Sequence, residues 1–304
     1  VAFDKVVVKD VCFSVYPGQT TAIVGESGSG KTVTSTAVMG LLPPSGKIIS
    51  GEITGVNRLD YIKNGSPVGT EIGMVFQDPL TSLNPLYTIA KQLIQTIRTH
   101  LDLTEKQARA RAIGLLEEVG IPAADKRIDD YPHQFSGGMR QRVVIALALC
   151  AGPELIIADE PTTALDVSVQ SQIIDVLKRM CAEHGTAVIL ITHDMGVIAE
   201  AADRVAVLYS GRIAEIGPVR EVIKQAKHPY TKGLMRSIPT LTQTNDRLTQ
   251  IPGTMPRITD RPEGCAFAPR CGHVMDICRS QQPAIRSVGN CEVACHLETE
   301  GGAS

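Results

Sequence analysis

Residues Gly25 to Thr32 read GESGSGKT, which fits the pattern G-x-x-x-x-G-K-S/T. The β-branched run "QTTAIV" precedes the loop, and a helix-compatible stretch from Val33 to Leu42 follows it until "PPSG" stops it. A strand, a glycine-rich loop and a helix in that order leave little freedom in what the chain can fold into. Glycine lets the backbone turn so that consecutive N–H groups converge, and the positive end of the next helix points at the same place. A chain of phosphates fits there. Gly25, Glu26, Ser27, Gly28, Ser29, Gly30, Lys31 and Thr32 form the candidate nucleotide-binding loop. Lys31 is placed for the β- and γ-phosphates, and the Thr32 hydroxyl for Mg2+.

The surroundings point to an α/β fold. "ELIIAD" (154 to 159) and "TAVILITHD" (186 to 194) read as fully buried strands separated by the helical "SVQSQIIDVLKRMCAEHG". Continuous apolar strands alternating with helices predict a mostly parallel sheet with flanking helices. Between Pro85 and Ala151 apolar residues recur at three- and four-residue spacing, which predicts an inserted helical part, and Thr104 to Gln107 predicts a capped helix start. "VVVKDVCFSV" (6 to 15) is expected to be a strand, and "DRVAVLYSGRIAEIG" a hairpin turning at Ser210-Gly211. After Tyr230 the composition shifts to Pro, Thr, Arg and Cys. The expected division is a nucleotide-binding domain over 1–235, its helical subdomain over about 85–152, and an extension over 236–304.

Bulk properties narrow the class. The 304 residues are 43% hydrophobic and 20% charged, as in an ordinary globular protein. A net charge of -2 offers no general attraction for a phosphodiester backbone, so nucleic acid is not an expected partner. The longest apolar run, Val143 to Ala151, is well short of the ~20 residues a membrane-spanning helix needs. Asp4, Lys5, Lys9 and Asp10 interrupt any secretory core, so a cytoplasmic location is expected. The first residue is Val1, and the chain is expected to start inside a longer one or to be processed.

"LIIADE" ends a buried strand in two carboxylates. Asp159 is suited to hold Mg2+, directly or through water, and Glu160 to polarise an attacking water. Acidic residues after a strand also serve as helix caps, which is the alternative.

"FSGGMRQR", from Phe135, resembles the signature motif of the ABC ATPases. Gln77 in "MVFQDP", the "ALD" of Ala164 to Asp166 and His193 in "VILITHD" stand in that family's order over roughly residues 6 to 235. The resemblance implies the ABC ATPase fold, a mostly parallel sheet with an antiparallel part and a helical subdomain. It also implies that Ser136, Gly137, Gly138 and Gln141 meet the ATP held by a partner subunit. Gln77 would contact Mg2+ or the attacking water, His193 would steady the γ-phosphate and orient Glu160, and Asp166 would lie at the dimer seam. The family stacks an aromatic residue on adenine; Phe3 is the better-placed candidate and Tyr16 the poorer.

"FQDPLTSLNP", "HPYTKGLMRSIP", "IPGTMP" and "GCAFAPRC" resemble the ATPase subunits of bacterial dipeptide and oligopeptide importers. That resemblance implies a second, similar but different ATPase chain, two membrane-spanning permeases, an extracytoplasmic peptide-binding protein acting indirectly, and a peripheral seat on the cytoplasmic face of the inner membrane. Nickel, glutathione or a peptide antibiotic are alternative cargoes. A soluble ABC ATPase without permeases is the alternative class, and a cluster-carrying redox protein a third. The cysteines of "GCAFAPRCGHVMDIC" admit a disulfide, zinc or an iron-sulfur cluster by chemistry alone. The subfamily associates four cysteines with a 4Fe-4S cluster, which maps to Cys265, Cys271, Cys278 and Cys295, with Cys291 as a competitor for the fourth place. His273 and His296 are expected to hydrogen-bond rather than to ligate, and Cys12, Cys150 and Cys181 to be core residues.

Overall fold

The computed structural model describes residues 1–55, 69–162, 166–237, 250–257 and 260–299. In chain order the strands are β1 (Thr20–Val24), β2 (Ile72–Val75), β3 (Leu155–Asp159), β4 (Ala187–Ile191), β5 (Arg204–Tyr209), β6 (Arg212–Pro218), β7 (Arg286–Val288) and β8 (Cys291–Val293). The helices longer than a single turn are α1 (Lys31–Val38), α2 (Ile89–His100), α3 (Glu105–Glu118), α4 (Gly137–Leu149), α5 (Val167–His184), α6 (Met195–Ala201), α7 (Val219–Lys224), α8 (Pro229–Arg236) and α9 (Asp276–Ser280). These elements form two compact units: Val1–Ser14, Thr21–Glu52 and His193–Ser304 make one, and Val15–Thr20 and Ile53–Thr192 the other.

In the second unit, β2, β3 and β4 lie parallel, with Ile157 between Met74 and Ile189. The middle residues of β3 and all of β4 are buried, which is why both strands read as unbroken apolar runs. α4 packs so close to β2 that a side chain at Gly73 would collide with the Ala148 carbonyl. Helices α2 and α3 start where their caps dictate. Thr88 accepts from the Lys91 N–H, and Thr104 and Gln107 exchange a capping box.

In the first unit, β1 pairs parallel with β5, and β5 pairs antiparallel with β6 through the Ser210-Gly211 turn. Both turn residues have positive φ, 46° and 75°, as a tight hairpin requires. The C-terminal extension continues this sheet: β8 pairs with β6 and β7 with β8, all antiparallel. Its core joins Tyr209, Tyr230, Phe267, Cys291 and Val293.

Two expectations are corrected here. The segment 6–15 is not a strand. The Val7 and Val8 N–H groups both turn back to the Val1 carbonyl, and Asp10 has φ 54°, so the run bends instead of pairing along its length. Cys12 is consequently exposed, whereas Cys150 and Cys181 are buried as expected. The "ALD" run lies partly outside the described residues, which resume at Asp166.

Candidate functional site

The phosphate loop leaves β1 and enters α1. A Cβ on Gly25 would strike the Leu208 carbonyl and lie 2.7 Å from Ser29 Oγ, so only glycine fits. Gly28 and Gly30 have φ of 81° and 103°, which aims successive N–H groups to one side. The Lys31 ammonium donates to the carbonyls of Gly25 (2.7 Å) and Glu26 (3.1 Å), folding the side chain over the loop. Thr32 and Ser27 are exposed, while Ser29 is fully buried and its hydroxyl has no hydrogen-bond partner among the described residues. Phe3 packs on the turn at Gly46, and Tyr16 is exposed on the loop before β1.

In the second unit, Asp159 ends β3 and Glu160 follows it with φ 47°, a backbone that few non-glycine residues adopt. The Glu160 N–H donates to the Ile191 carbonyl at 2.8 Å, tying this residue to the end of β4. Gln77, just beyond β2, donates from Nε2 to Glu160 Oε2 at 3.3 Å. Two residues separated by 83 positions are thereby joined. Ser136 caps α4 by accepting from the Met139 N–H, leaving Gly137 and Gly138 as its first turn. A Cβ on Gly138 would come within 2.6 Å of Val169 on α5. Gln141, by contrast, is fully buried with its amide unpartnered among the described residues, so it faces away from solvent. Asp166 is exposed at the start of α5. His193, in the first unit, is exposed just before α6, whose N-cap Asp194 accepts from Gly196 and Val197.

Cys265, Cys271, Cys278 and Cys295 line one small pocket in the first unit, together with His228 and Phe267. Cys291 is elsewhere: its thiol fills the space a side chain at Gly217 would need, under β6. Burial pushes the Cys265 thiol up to about 11 and raises Cys271 and Cys295 as well, with the neighbouring thiols adding to each shift. His273 donates its backbone N–H to Cys271 Sγ, and His296 Nε2 lies 3.0 Å from the Gln281 carbonyl, so both make hydrogen bonds. His228 is buried against Phe267, accepts from the Tyr230 N–H through Nδ1, and is lowered to about 4 mainly by that burial. Four thiols around one pocket match the donor set of an iron-sulfur cluster. They are not drawn to ligand spacing, since no group of three or more His, Cys, Asp or Glu close enough to hold a metal ion occurs among the described residues.

The model of the family described as ABC transporter matches residues 8–163. The dipeptide transport ATP-binding protein DppD of Bacillus subtilis is 48% identical over 300 residues, covering 96% of this chain and 89% of that protein. The chain belongs to the ABC transporter family. A second model, oligopeptide/dipeptide transporter C-terminal region, matches residues 214–278 of this ABC protein. The oligopeptide transport ATP-binding protein OppD of Bacillus subtilis is 49% identical over 289 residues, covering 93% of this chain and 81% of that protein. Among solved structures, the dimeric post-hydrolysis state of the ATP-binding cassette MJ0796, bound to ADP and Pi, aligns with a TM-score of 0.58 and 29% identity, over 70% of this chain and 91% of that one.

Sequence reading of this ABC chain missed the contacts made to the phosphate loop from the far end. The Tyr230 hydroxyl accepts from the Glu26 N–H at 3.0 Å, and Arg270 Nη1 lies 3.0 Å from both Glu26 carboxylate oxygens. The "HPY" and "APRC" runs were visible, but nothing local tells which distant residue they reach.

Proposed function

We propose that this chain is the ATP-hydrolysing subunit of a bacterial importer of dipeptides and oligopeptides. The observation that carries the reading is the pairing, in one chain, of a nucleotide-type phosphate loop with a C-terminal region of the oligopeptide and dipeptide transporter kind over residues 214–278. ATP would sit on Gly25 to Thr32, with Lys31 on its β- and γ-phosphates, Phe3 against adenine, and Mg2+ on Thr32, Gln77 and Asp159. Glu160 would polarise the attacking water, with Gln77 holding its carboxylate and His193 steadying the γ-phosphate. Ser136, Gly137 and Gly138 open α4, and the N–H groups of that first turn would make a second phosphate site suited to the nucleotide of a partner ATPase, with Asp166 at that seam. Gln141, being buried, would act from behind this helix end.

Residues 1–235 would form the nucleotide-binding domain and 236–304 the extension, a division by role rather than by compactness. The second ATPase subunit would be a similar but different chain. ATP-driven closure would pass to two permeases through the segment from Gln77 to Pro85 and the adjoining helical subdomain; Leu80 within that segment and Phe76 and Leu86 at its two ends are exposed apolar residues. No helix of the described residues is long and apolar enough to cross a membrane, so a peripheral seat on the cytoplasmic face fits, with a peptide-binding protein acting outside. A 4Fe-4S cluster held by Cys265, Cys271, Cys278 and Cys295 would staple the small extension, a structural task needing no electron partner.

The test is purification of the native complex from detergent-solubilised membranes, with its subunits identified by mass spectrometry and ATP turnover measured with binding protein and peptide. Co-purifying permeases and peptide-stimulated turnover are expected. Recovery of an active ATPase with no membrane protein would overturn the importer.

A further inference from the structure

Glu26 is an anomaly in its place. It is the second residue of a loop whose chemistry is to gather a triphosphate, and a carboxylate there opposes the charge the loop must receive. Its surroundings answer the problem. Arg270 Nη1 sits 3.0 Å from both Glu26 oxygens, and the Arg270 side chain is only 5% exposed. Arg270 is itself fixed by the extension: Nε donates to the Pro252 carbonyl at 2.9 Å, Nη2 to the Ile251 carbonyl at 3.3 Å, and Nη1 also reaches the Tyr209 hydroxyl at 3.4 Å. The backbone of Glu26 is held separately, because the buried Tyr230 hydroxyl accepts its N–H. Met255, from the same stretch as Ile251, lies beside Gly28 of the loop.

From this geometry we infer that Arg270 is a positioning residue for nucleotide binding: it neutralises and anchors Glu26, so the phosphate loop binds a triphosphate more tightly while the C-terminal extension is docked against it. Arg270 commits its guanidinium to Glu26, the Tyr209 hydroxyl and the Ile251 and Pro252 carbonyls, and acts through Glu26. The Arg270 side chain is enclosed while that of Glu26 is 31% exposed, so the pair is partly screened by solvent, and removing the cation leaves a carboxylate uncompensated beside the phosphate site. The extension is then a part of the nucleotide site rather than an appendage to it. The inference rests on Gly25 to Thr32 being the nucleotide site.

The experiment is isothermal titration of the full chain with MgATP, with a thermal melt of each variant. Wild type is expected to bind and Lys31→Ala to lose binding; a wild type that does not bind overturns the nucleotide reading and this inference with it. Arg270→Gln is expected to weaken binding by about tenfold, and Arg270→Lys, which keeps the charge, by much less. The decisive variant is Arg270→Gln with Glu26→Gln, expected to regain most of the lost affinity because the unpaired carboxylate is gone. A purely structural role for Arg270 would give the double variant no such recovery. Tyr230→Phe removes the acceptor of the Glu26 N–H and leaves the ring in place, so roughly threefold weaker binding is expected; if Arg270→Gln does not fold, Arg270→Lys with and without Glu26→Gln carries the test. With wild type binding normally, unchanged affinity in Arg270→Gln and Tyr230→Phe, or no recovery in the double variant, overturns the inference alone.

Discussion

Glu160 holds a backbone that costs about 1 kcal/mol or more for a side-chain-bearing residue, and its N–H is bound to the end of β4. Strain of that kind persists where the surroundings fix it, and here it turns the carboxylate toward Gln77 rather than along the strand. Asp159, one residue earlier, keeps the regular geometry of β3. Two adjacent carboxylates thus stand in different backbone settings, which suits them to different tasks. If Glu160 polarises water, Glu160→Gln keeps the shape and removes the base. ATP should still bind while hydrolysis falls by about 10^2- to 10^4-fold, measured as phosphate release at saturating MgATP. Turnover at the wild-type rate would mean that the water is activated elsewhere.

The capped helices test a different claim, that local sequence sets where elements begin. Thr104 and Gln107 exchange both capping-box bonds at the start of α3, with the Thr104 N–H donating to Gln107 at 3.0 Å. Thr104→Ala is expected to cost ~1 kcal/mol, lowering the melting temperature by about 2 °C, with Thr104→Ser restoring most of it. No change on Thr104→Ala would show that the packing of α3 alone fixes its start. Elements of this sort were legible: the loop between β1 and α1, the apolar runs of β3 and β4, and the Ser210-Gly211 turn all carry their signal within a few residues. The N-terminal run 6–15 misled because β-branched composition says nothing of whether a partner strand is available. Strands β7 and β8, three residues each, are too short to show a period; β8 exists because β6 offers it an edge, and β7 because β8 does. The reach of Tyr230 and Arg270 to Glu26 spans 204 and 244 residues, a distance over which spacing carries no information.

At the scale of the whole chain, the first unit is assembled from three separate segments: the last pairs with the second through β5 and β1, and bonds to the first through Arg212 to Asp10 and Arg261 to the Val7 carbonyl, while the cysteine pocket lies within the last alone. A late segment of about seventy residues with short strands buries little core of its own, and such segments usually need a covalent or metal staple. Cys265, Cys271, Cys278 and Cys295 are suited to that staple, while Cys291 is committed to packing under β6 beside Gly217. The two kinds of cysteine should therefore respond differently to replacement. If those four thiols hold the proposed cluster, anaerobically purified wild type carries brown absorbance with bound iron and sulfide, and Cys265→Ser with Cys278→Ser is expected to abolish all three and to raise proteolysis after residue 250. Cys291→Ala is expected to lower the melting temperature while leaving iron and sulfide content unchanged. Iron retained in the first variant, or lost in the second with the fold intact, would reassign the ligands. A colourless, iron-free wild type purified without air would leave the pocket to four reduced thiols, and the extension would then be held by contacts such as the pairing of β8 with β6, Arg270 to Glu26, Arg261 to Ser210 and Asn290 to Glu221.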